Sequence, residues 1–417
     1  MAPANPIGVR DGSRDLVRGE TRGARVLFGL WWRANRLALT RALFIFIVLR
    51  VLLSLVTLLT AGLLPLQAGL HDTYQRSYEP ALDAWARWDS EYYLDIAAGG
   101  YAARPQLAVF FPLYPMLIAA VAPIFQQDLV LAGIVVSSLA CLVALFYMFK
   151  LAALELGEAS AERAMLYMAI YPMALFMFAV YTESLFLAVL LATFYYTRRG
   201  RWGPAAIGAF LAGVTRPTGL VLVFPLAYEA WRQACAGQRL PSWRALLGSY
   251  RLPAVAAAPL AWLLFAVYLA WLTGDPAAIL HSRALPPFWR QTSLPWDTLG
   301  LAFQNLQRTD LSLMARTVNT TDLIATLMLI ETALVAWWAL PRAYAIYATA
   351  SIVLLLTLTI SEWPLQSMPR YSLAVFPLFF LLARLGANRY WHQAIVMVSL
   401  LFLGLYTALF ANWYWVF

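Results

Sequence analysis

A short segment, Trp88-Asp89-Ser90-Glu91-Tyr92-Tyr93, combines carboxylates with aromatic rings between two strongly hydrophobic runs. Around it, six of the chain's 21 acidic residues fall within 24 positions: Asp72, Glu79, Asp83, Asp89, Glu91 and Asp95. A positioned carboxylate can remove the proton of a hydroxyl group during a reaction. The pattern predicts a site for a polar substrate with aromatic walls, in which Asp89 is the candidate general base.

Other roles are open for these acids. Asp89 precedes a predicted helix over residues 90–98, and its side chain would also suit the cap of that helix. Glu91 and Asp95 are four positions apart and share one helix face, which fits a solvated surface as well as a divalent-metal site. We predict no metal centre and no cofactor, because the three histidines are scattered and no CxxC or HExxH pattern occurs.

Three further charged residues are costly to place in so apolar a chain. Glu183 begins an apolar run, where an acid complements the helix dipole or contacts a substrate hydroxyl. Arg370 follows Met368-Pro369. An ion pair with Glu362 would account for it, and so would a bound phosphate, because arginine forks onto phosphate oxygens. Arg216, flanked by apolar residues, has the same two interpretations.

The elements that must position these residues are membrane helices. Of the 417 residues, 62% are hydrophobic, and apolar runs long enough to cross a bilayer recur along the chain. We therefore predict an all-α, polytopic transmembrane bundle of about 10–12 spans. The net charge of +9 does not indicate nucleic-acid binding, since the basic residues lie at the ends of apolar runs, as topology signals do.

The distribution of arginines predicts how the chain is oriented in the membrane. Residues 1–41 carry eight arginines against three acids, which predicts a cytoplasmic N-terminal segment, with residues 1–22 disordered and a possible interfacial helix over residues 26–40. Residues 42–417 are expected to form one transmembrane domain of the cell membrane, with outer loops over about 66–128 and 274–321. Prolines within residues 108–125 predict a broken helix. Spans are predicted near 42–65, 129–150, 162–180, 183–199, 203–216, 218–233, 253–273, 322–340, 343–361, 370–387 and 391–414.

This predicted membrane topology places four charged residues on the outer side of the membrane: Asp89, Glu183, Arg216 and Arg370. A lid over residues 274–321 is predicted to cover them. An outward-facing site has no access to cytosolic ATP or nucleotide sugars, so a transferase there needs a membrane-borne donor such as a lipid-phosphate sugar. Further candidate substrate contacts are Trp88, Glu91, Tyr93, Tyr181, His281, Arg283 and Arg290.

Two rival functions remain open. One is a transporter or flippase of a lipid-linked sugar, and the other is a non-catalytic assembly subunit. A transporter would place its polar groups near the bilayer midplane, often between related halves of the chain. The chain has no such internal repeat, and the predicted position of its polar groups on one face favours an enzyme.

Several motifs together resemble the PIG-V family, which comprises the second mannosyltransferase of GPI-anchor assembly and its prokaryotic relatives. The matching pieces, spread over most of residues 80–385, are Trp88-Asp89-Ser90, Phe110-Phe111-Pro112-Leu113-Tyr114-Pro115, Tyr181-Thr182-Glu183-Ser184, Thr215-Arg216-Pro217-Thr218-Gly219, Gly274-Asp275-Pro276 and Pro369-Arg370-Tyr371.

The resemblance implies a GT-C-type integral membrane glycosyltransferase. Such an enzyme transfers mannose from polyprenyl-phosphate-mannose to a lipid-linked or other glycan acceptor and inverts the anomeric carbon. It further implies that Asp89 is the catalytic base and that Glu183 and Arg370 occupy motif positions. The chain departs from the family at His281-Ser282-Arg283, where a glutamine is expected. Its Arg216-Pro217-Thr218-Gly219 motif and compact length are typical of a prokaryotic member.

Overall fold

A computed structural model describes residues 12–67, 75–102, 104–235 and 250–416 of the chain. Most of these residues are helical, and one two-stranded β-sheet is present. The elements in chain order are α1 (Gly12–Leu63), α2 (Pro80–Asp83), α3 (Ser90–Gly99), α4 (Leu113–Val121), α5 (Leu129–Leu156), α6 (Glu158–Ala169), α7 (Glu183–Arg198), α8 (Trp202–Gly213), α9 (Val223–Cys235), α10 (Arg251–Thr273), α11 (Ala278–Ala284), β1 (Gln291–Thr292), α12 (Pro295–Gln307), α13 (Leu313–Ala339), α14 (Arg342–Leu356), β2 (Leu358–Thr359), α15 (Met368–Ser372), α16 (Pro377–Leu385) and α17 (Arg389–Ala411).

The predicted all-α membrane bundle is confirmed. Within the described residues, five helices are long and apolar enough to cross a membrane: Gly29–Leu63, Leu129–Leu156, Arg251–Thr273, Leu313–Ala339 and Arg389–Ala411. Several other predicted spans are shorter helices, such as α8 and α14. At 1.5 Å per residue, a helix needs about 20 residues to cross a hydrocarbon core of about 30 Å, so these helices reach only part of the way.

The N-terminal region differs from the prediction. We expected disorder up to residue 22, a separate surface helix and then a span, whereas α1 runs without interruption from Gly12 to Leu63. No proline interrupts this stretch, so nothing in the backbone requires the helix to stop where the arginine-rich part meets the apolar part. Residues 1–11, and the candidate acid Asp72, lie outside the described residues.

Breaks in the helices create the segments that carry polar residues. The prolines of residues 108–125 divide that run, as predicted, into a 3₁₀ helix (Pro105–Val109), α4, and a second 3₁₀ helix (Ala122–Phe125). A third 3₁₀ helix (Pro217–Leu222) follows α8. A Cβ atom at Gly219 would lie 2.3 Å from the carbonyl oxygen of Ala212, so only glycine permits the close crossing at this point.

Two apolar cores hold the bundle together. The larger core includes side chains from α1, α5, α7, α8 and α17. The smaller core lies among α12, α13, α14 and the segment around α15. Antiparallel pairing of β1 with β2, in the register Gln291 with Thr359 and Thr292 with Leu358, ties the loop after α11 to the chain entering α15. The fold thereby brings residues near positions 290 and 370 together.

Candidate active site

Four charged side chains from four separate segments meet in one cluster. Arg370 Nη1 lies 2.8 Å from Asp89 Oδ2, and Arg216 Nη1 lies 2.8 Å from Glu183 Oε1. Arg370 Nε lies 3.6 Å from the same Glu183 oxygen, so the two ion pairs are joined. We call Asp89, Glu183, Arg216 and Arg370 the site cluster. It contains two carboxylates and two guanidinium groups, and its formal charges cancel.

Asp89 occupies the position before α3 but does not cap that helix. Its side chain makes no capping hydrogen bond, and its backbone is helical, at φ −56° and ψ −19°. The interpretation of Asp89 as a helix cap is therefore wrong, because Arg370 holds the carboxylate instead. The Asp89 backbone N–H donates to the Tyr181 hydroxyl at 3.2 Å, and that hydroxyl donates to the Arg87 carbonyl at 3.1 Å. Tyr181 thus fixes the backbone that presents Asp89.

The residue before Asp89 has a left-handed backbone. Trp88 has φ +53°, a conformation that costs a bulky residue energy and needs support from its surroundings. The rings of Trp413 and Trp415 meet the Trp88 ring edge-on, with centroid separations of 5.8 and 5.1 Å. The segment after α17 therefore clamps the loop that carries Asp89.

A buried ion pair supports the same loop from below. Arg87 and Asp83 are paired and almost fully buried, and Arg87 Nε donates to the Ala411 carbonyl at 3.2 Å. The Arg87 guanidinium also stacks on Trp413, 4.6 Å from the ring centroid. Neither this pair nor the tryptophan clamp was predicted from the sequence. The one sequence feature that indicated the ion pair is the spacing of Asp83 and Arg87, which are four positions apart just before Asp89.

Hydrogen-bonding capacity is left unused around the cluster. Glu183 is 3% exposed, yet its Oε2 accepts no hydrogen bond from any described residue. Buried polar atoms are normally satisfied by partners. Among the described residues, six such unpartnered atoms belong to the site cluster or to its chain neighbours: Trp88 Nε1, Ser90 Oγ, Glu183 Oε2, Ser184 Oγ, Thr218 Oγ1 and Arg370 Nε. These donors and acceptors are available to hydrogen-bond a ligand.

Three arginines surround one tyrosine ring. The guanidinium carbons of Arg216, Arg290 and Arg370 lie 5.6, 5.8 and 5.5 Å from the Tyr371 centroid. Burial raises the pKa of Tyr371, but these three positive charges outweigh that effect and lower it. Burial alone would lower the pKa of Arg370, but the Asp89 and Glu183 carboxylates raise that pKa by more than burial lowers it. Arg370 therefore stays charged. This concentration of guanidinium groups suits a phosphate.

A cleft adjoins these arginines. Arg290, Trp363, Gln366 and Tyr371 are among the residues that line it. Arg290 Nη2 donates to Gln366 Oε1 at 3.4 Å, and the Arg290 side chain also hydrogen-bonds to Tyr371. The predicted ion pair between Arg370 and Glu362 is absent, because Glu362 is exposed and Arg370 pairs with Asp89 instead.

The structure brings some predicted residues to the cluster and leaves others away from it. Tyr93 lies beside it and its hydroxyl contacts Thr182 Oγ1 at 3.3 Å. Glu91 instead joins a surface network, in which its carboxylate lies 2.9 Å from Arg76. In the same network Asp95 pairs with Arg104 at 2.6 Å, so a solvated face is the interpretation that these contacts favour for both acids.

The predicted contacts of the loop after α10 also find other partners. His281 Nδ1 lies 2.8 Å from Asp275 Oδ2 on an exposed surface. Arg283 Nη2 donates to Thr292 Oγ1 at 3.0 Å. Neither side chain makes a described contact with the site cluster. The described residues contain no group of three His, Cys, Asp or Glu side chains that could hold a metal ion.

Buried polar residues outside the motifs hold the chain before Arg370. Asn305 and Asn319 donate to the Glu362 carbonyl at 3.3 and 3.0 Å. Asp322 is fully buried one turn further along α13, beside the backbone of Ser367 and Met368, and its two carboxylate oxygens have no hydrogen-bond partner among the described residues. The sequence could have indicated these residues, because Asn319 and Asp322 share a face of an apolar helix. Polar residues at membrane depth are costly and often functional.

A comparison with protein families finds a similarity over the first part of the chain. Residues 38–236 match the family model described as Mannosyltransferase (PIG-V). No curated protein matches the chain. Three of the four residues of the site cluster, Asp89, Glu183 and Arg216, lie inside the matched range, and Arg370 reaches them from outside it. The description of that family names a mannosyltransferase activity. Over residues 38–236, the chain is similar to the PIG-V mannosyltransferase family.

Proposed function

We propose that the protein is an inverting mannosyltransferase of the cell membrane. It takes mannose from polyprenyl-phosphate-mannose and transfers it to a hydroxyl group of a lipid-linked or other glycan acceptor. The site faces the outer side of the membrane, and the N-terminus is cytoplasmic. The observation that carries the proposal is the 2.8 Å contact between Asp89 and Arg370, which sets a carboxylate base beside a phosphate-binding cation in the fold of a mannosyltransferase family.

In the proposed reaction, Asp89 removes the proton of the acceptor hydroxyl as that oxygen attacks the anomeric carbon. The bond from this carbon to the phosphate oxygen breaks, and its electron pair leaves with the polyprenyl phosphate. One displacement from the opposite face inverts the configuration. Asp89 suits the role of base because its side chain is 25% exposed, so an acceptor can reach it.

Arg370 and Arg216 supply positive charge where the leaving phosphate gains negative charge. Such preorganised groups often provide the largest part of catalysis. Arg290, with its guanidinium carbon 5.8 Å from the Tyr371 ring centroid, adds a third cation from the loop after α11. A phosphate ester is already a good leaving group, so the mechanism needs no general acid.

Glu183 orients the substrate in this proposal. Its Oε1 is held by Arg216 at 2.8 Å, whereas its buried Oε2 has no described partner. That free oxygen can accept a hydrogen bond from a mannose or acceptor hydroxyl. Trp88, Tyr93 and Tyr181 form the aromatic wall beside it. No resident metal ion takes part, and we expect unchanged transfer in excess EDTA.

The test replaces Asp89 by asparagine, which keeps the shape of the side chain but cannot accept the proton. We expect Asp89→Asn to fold and to bind donor, but to lose transfer by about 10²–10⁴-fold. The assay follows a new glycosidic bond between labelled polyprenyl-phosphate-mannose and glycolipid acceptors in reconstituted vesicles. Near-normal turnover in this variant would overturn the role of Asp89, and lipid movement without new bonds would favour a flippase.

A further inference from the structure

A second polar groove lies far from the site cluster, at the other end of α7. It encloses about 260 Å³ between α1, α5 and the end of α7, many times the volume that one water needs. Lys150 and Arg199 line it, together with Leu37, Leu154 and Tyr195. Glu183 begins α7, whereas Arg199 follows its last residue, so about 24 Å of helix separates this groove from the site cluster.

Among the side chains that the structure describes, none is an acidic partner of the two cations of the groove. Lys150 Nζ donates to the Ala34 carbonyl at 3.2 Å, and Arg199 Nη1 donates to the Tyr195 hydroxyl at 2.8 Å. No carboxylate whose side chain the structure describes forms an ion pair with either of them. Arg198, the residue before Arg199, is in contrast paired with both Glu155 and Glu229. The groove therefore has unused positive charge, with Glu158 as the one acid in its lining.

The groove lies between the end of one membrane-spanning helix and the arginine-bearing part of another. Residues 149–154 belong to the last turns of Leu129–Leu156. Ala34, Leu37 and Ala38 lie on α1 between Arg33 and Arg41, just before the apolar run that begins at Ala42. Aromatic side chains mark the boundary between membrane and water, and Trp31 and Trp32 are exposed one turn away on α1. This position is at the level of lipid headgroups.

The walls of the groove are suited to a lipid as well as to an anion. Leu154 is 49% exposed and Leu37 is 37% exposed beside the two cations. Basic pockets between membrane helices bind anionic headgroups, and the neighbouring apolar side chains can pack against the acyl chains. We propose that this groove binds the phosphodiester headgroup of an anionic phospholipid, with Lys150 and Arg199 as its ligands. The assignment is independent of the proposed catalytic reaction.

The experiment uses the full chain in detergent with equal amounts of phosphatidylglycerol and phosphatidylcholine, and native mass spectrometry counts the lipids retained. Each cation near a membrane surface contributes about fivefold in affinity for an anionic lipid. We expect the protein to retain phosphatidylglycerol preferentially. Lys150→Gln or Arg199→Gln should each reduce that preference about fivefold, and the double variant should abolish most of it.

Two controls separate this site from general charge effects. Arg342 is exposed, and its neighbour Tyr344 contacts Glu155 at the same end of the bundle, so Arg342→Gln removes one charge there without touching the groove and should leave the preference unchanged. Lys150→Arg should retain it. An equal preference in the double variant and the unmodified protein would overturn the proposal. Displacement of the lipid by inorganic phosphate would also overturn it, by showing a site for free anions.

Discussion

The two ends of α7 carry clusters built from the same residue types. The site cluster gathers around Glu183, the first residue of the helix. A second cluster, which we call the distal cluster, gathers around Arg198, the last residue, and contains Glu155, Arg198, Glu229 and Arg232. Each cluster has two glutamate or aspartate carboxylates and two arginines, and most of these side chains are buried, with Arg232 as the exposed one. Residue type therefore does not distinguish the clusters.

Saturation of hydrogen bonds does distinguish the clusters. In the distal cluster, Glu155 accepts from Arg198 at both oxygens and from Tyr344, and Glu229 accepts from Arg198, Arg232 and Gln233. In the site cluster, Glu183 Oε2 and Arg370 Nε have no hydrogen-bond partner among the described residues. A network with every group satisfied stabilises the fold, whereas unsatisfied groups are available to a ligand.

The largest expected difference between the clusters concerns their arginines. Arg370→Gln should lower kcat/KM for mannosyl transfer roughly a thousandfold, since it removes the charge that stabilises the leaving phosphate in the proposed reaction. Arg370→Lys should recover only part of the activity, because lysine lacks the planar fork. The matched control is Arg232→Gln in the distal cluster, which should transfer normally. Equal loss in both variants would erase the distinction between the clusters.

The two glutamates should respond in different assays. Glu183→Gln should lower the transfer rate per folded molecule about a hundredfold, as expected for a group that orients the reacting hydroxyl. Size-exclusion chromatography measures the folded fraction, and the labelled-mannose assay measures the rate. A normal rate per folded molecule would show that Glu183 only balances the charge of Arg216.

Glu229→Gln should instead act on stability. It leaves Arg198 and Arg232 with less compensation in a site where Glu229 is 2% exposed, and we expect the free energy of unfolding to fall by about 2 kcal/mol. Part of the usual penalty is relieved because Arg232 reaches solvent. Chemical denaturation in detergent measures the change, and the rate per folded molecule should stay the same. A selective loss of activity would contradict a structural role.

The tryptophan clamp offers a smaller effect on the site cluster alone. Trp413→Leu removes the edge contact to Trp88 and the cation–π contact to Arg87. We expect kcat to fall about tenfold with little change in KM, because each contact contributes about 1 kcal/mol to holding the Asp89 loop. Trp413→Phe should restore most of the rate. A change in KM alone would place Trp413 in substrate binding.

The smallest effect is expected at the exposed pair of the loop after α10. His281→Gln should change the transfer rate by no more than about twofold, since exposed ion pairs contribute little and His281 makes no described contact with the site cluster. The same assay measures it, with Arg290→Gln, in the loop after α11, as the positive control. A large loss in His281→Gln would show that this loop closes over the substrate.

Sequence patterns identified the charged residues of the site better than they identified the ion-pair partners of those residues. Glu183, Arg216 and Arg370 were identifiable because charged residues among apolar runs are costly, and the structure places all three beside Asp89. Two partners were left open for Arg370, Glu362 and a bound phosphate, and the structure excludes Glu362 because Arg370 pairs with Asp89. Asp89 lies 281 residues away in the chain, and such a distance is not encoded in local spacing.

The helices show the same limit. Hydrophobicity predicted an all-α membrane bundle, and prolines predicted the break before α4. The length of individual helices could not be predicted as well from the sequence. The 3₁₀ turns near Pro217 and the interruption before α15 depend on tertiary packing. The buried residues Asn319 and Asp322 were visible as polar positions in an apolar helix, but only the structure shows that they lie beside the chain before Arg370.

The clamp on Trp88 also has a consequence for biosynthesis. A ribosome that has added Arg370 has supplied all four charged residues of the site cluster, yet the Ala411 carbonyl that holds Arg87 is added 41 residues later, since 411 − 370 = 41. Membrane insertion of the earlier helices would then precede assembly of a working catalytic loop. Ribosome-arrested chains that expose residues up to about 400 should be inserted but inactive, and chains that expose residue 416 should transfer mannose.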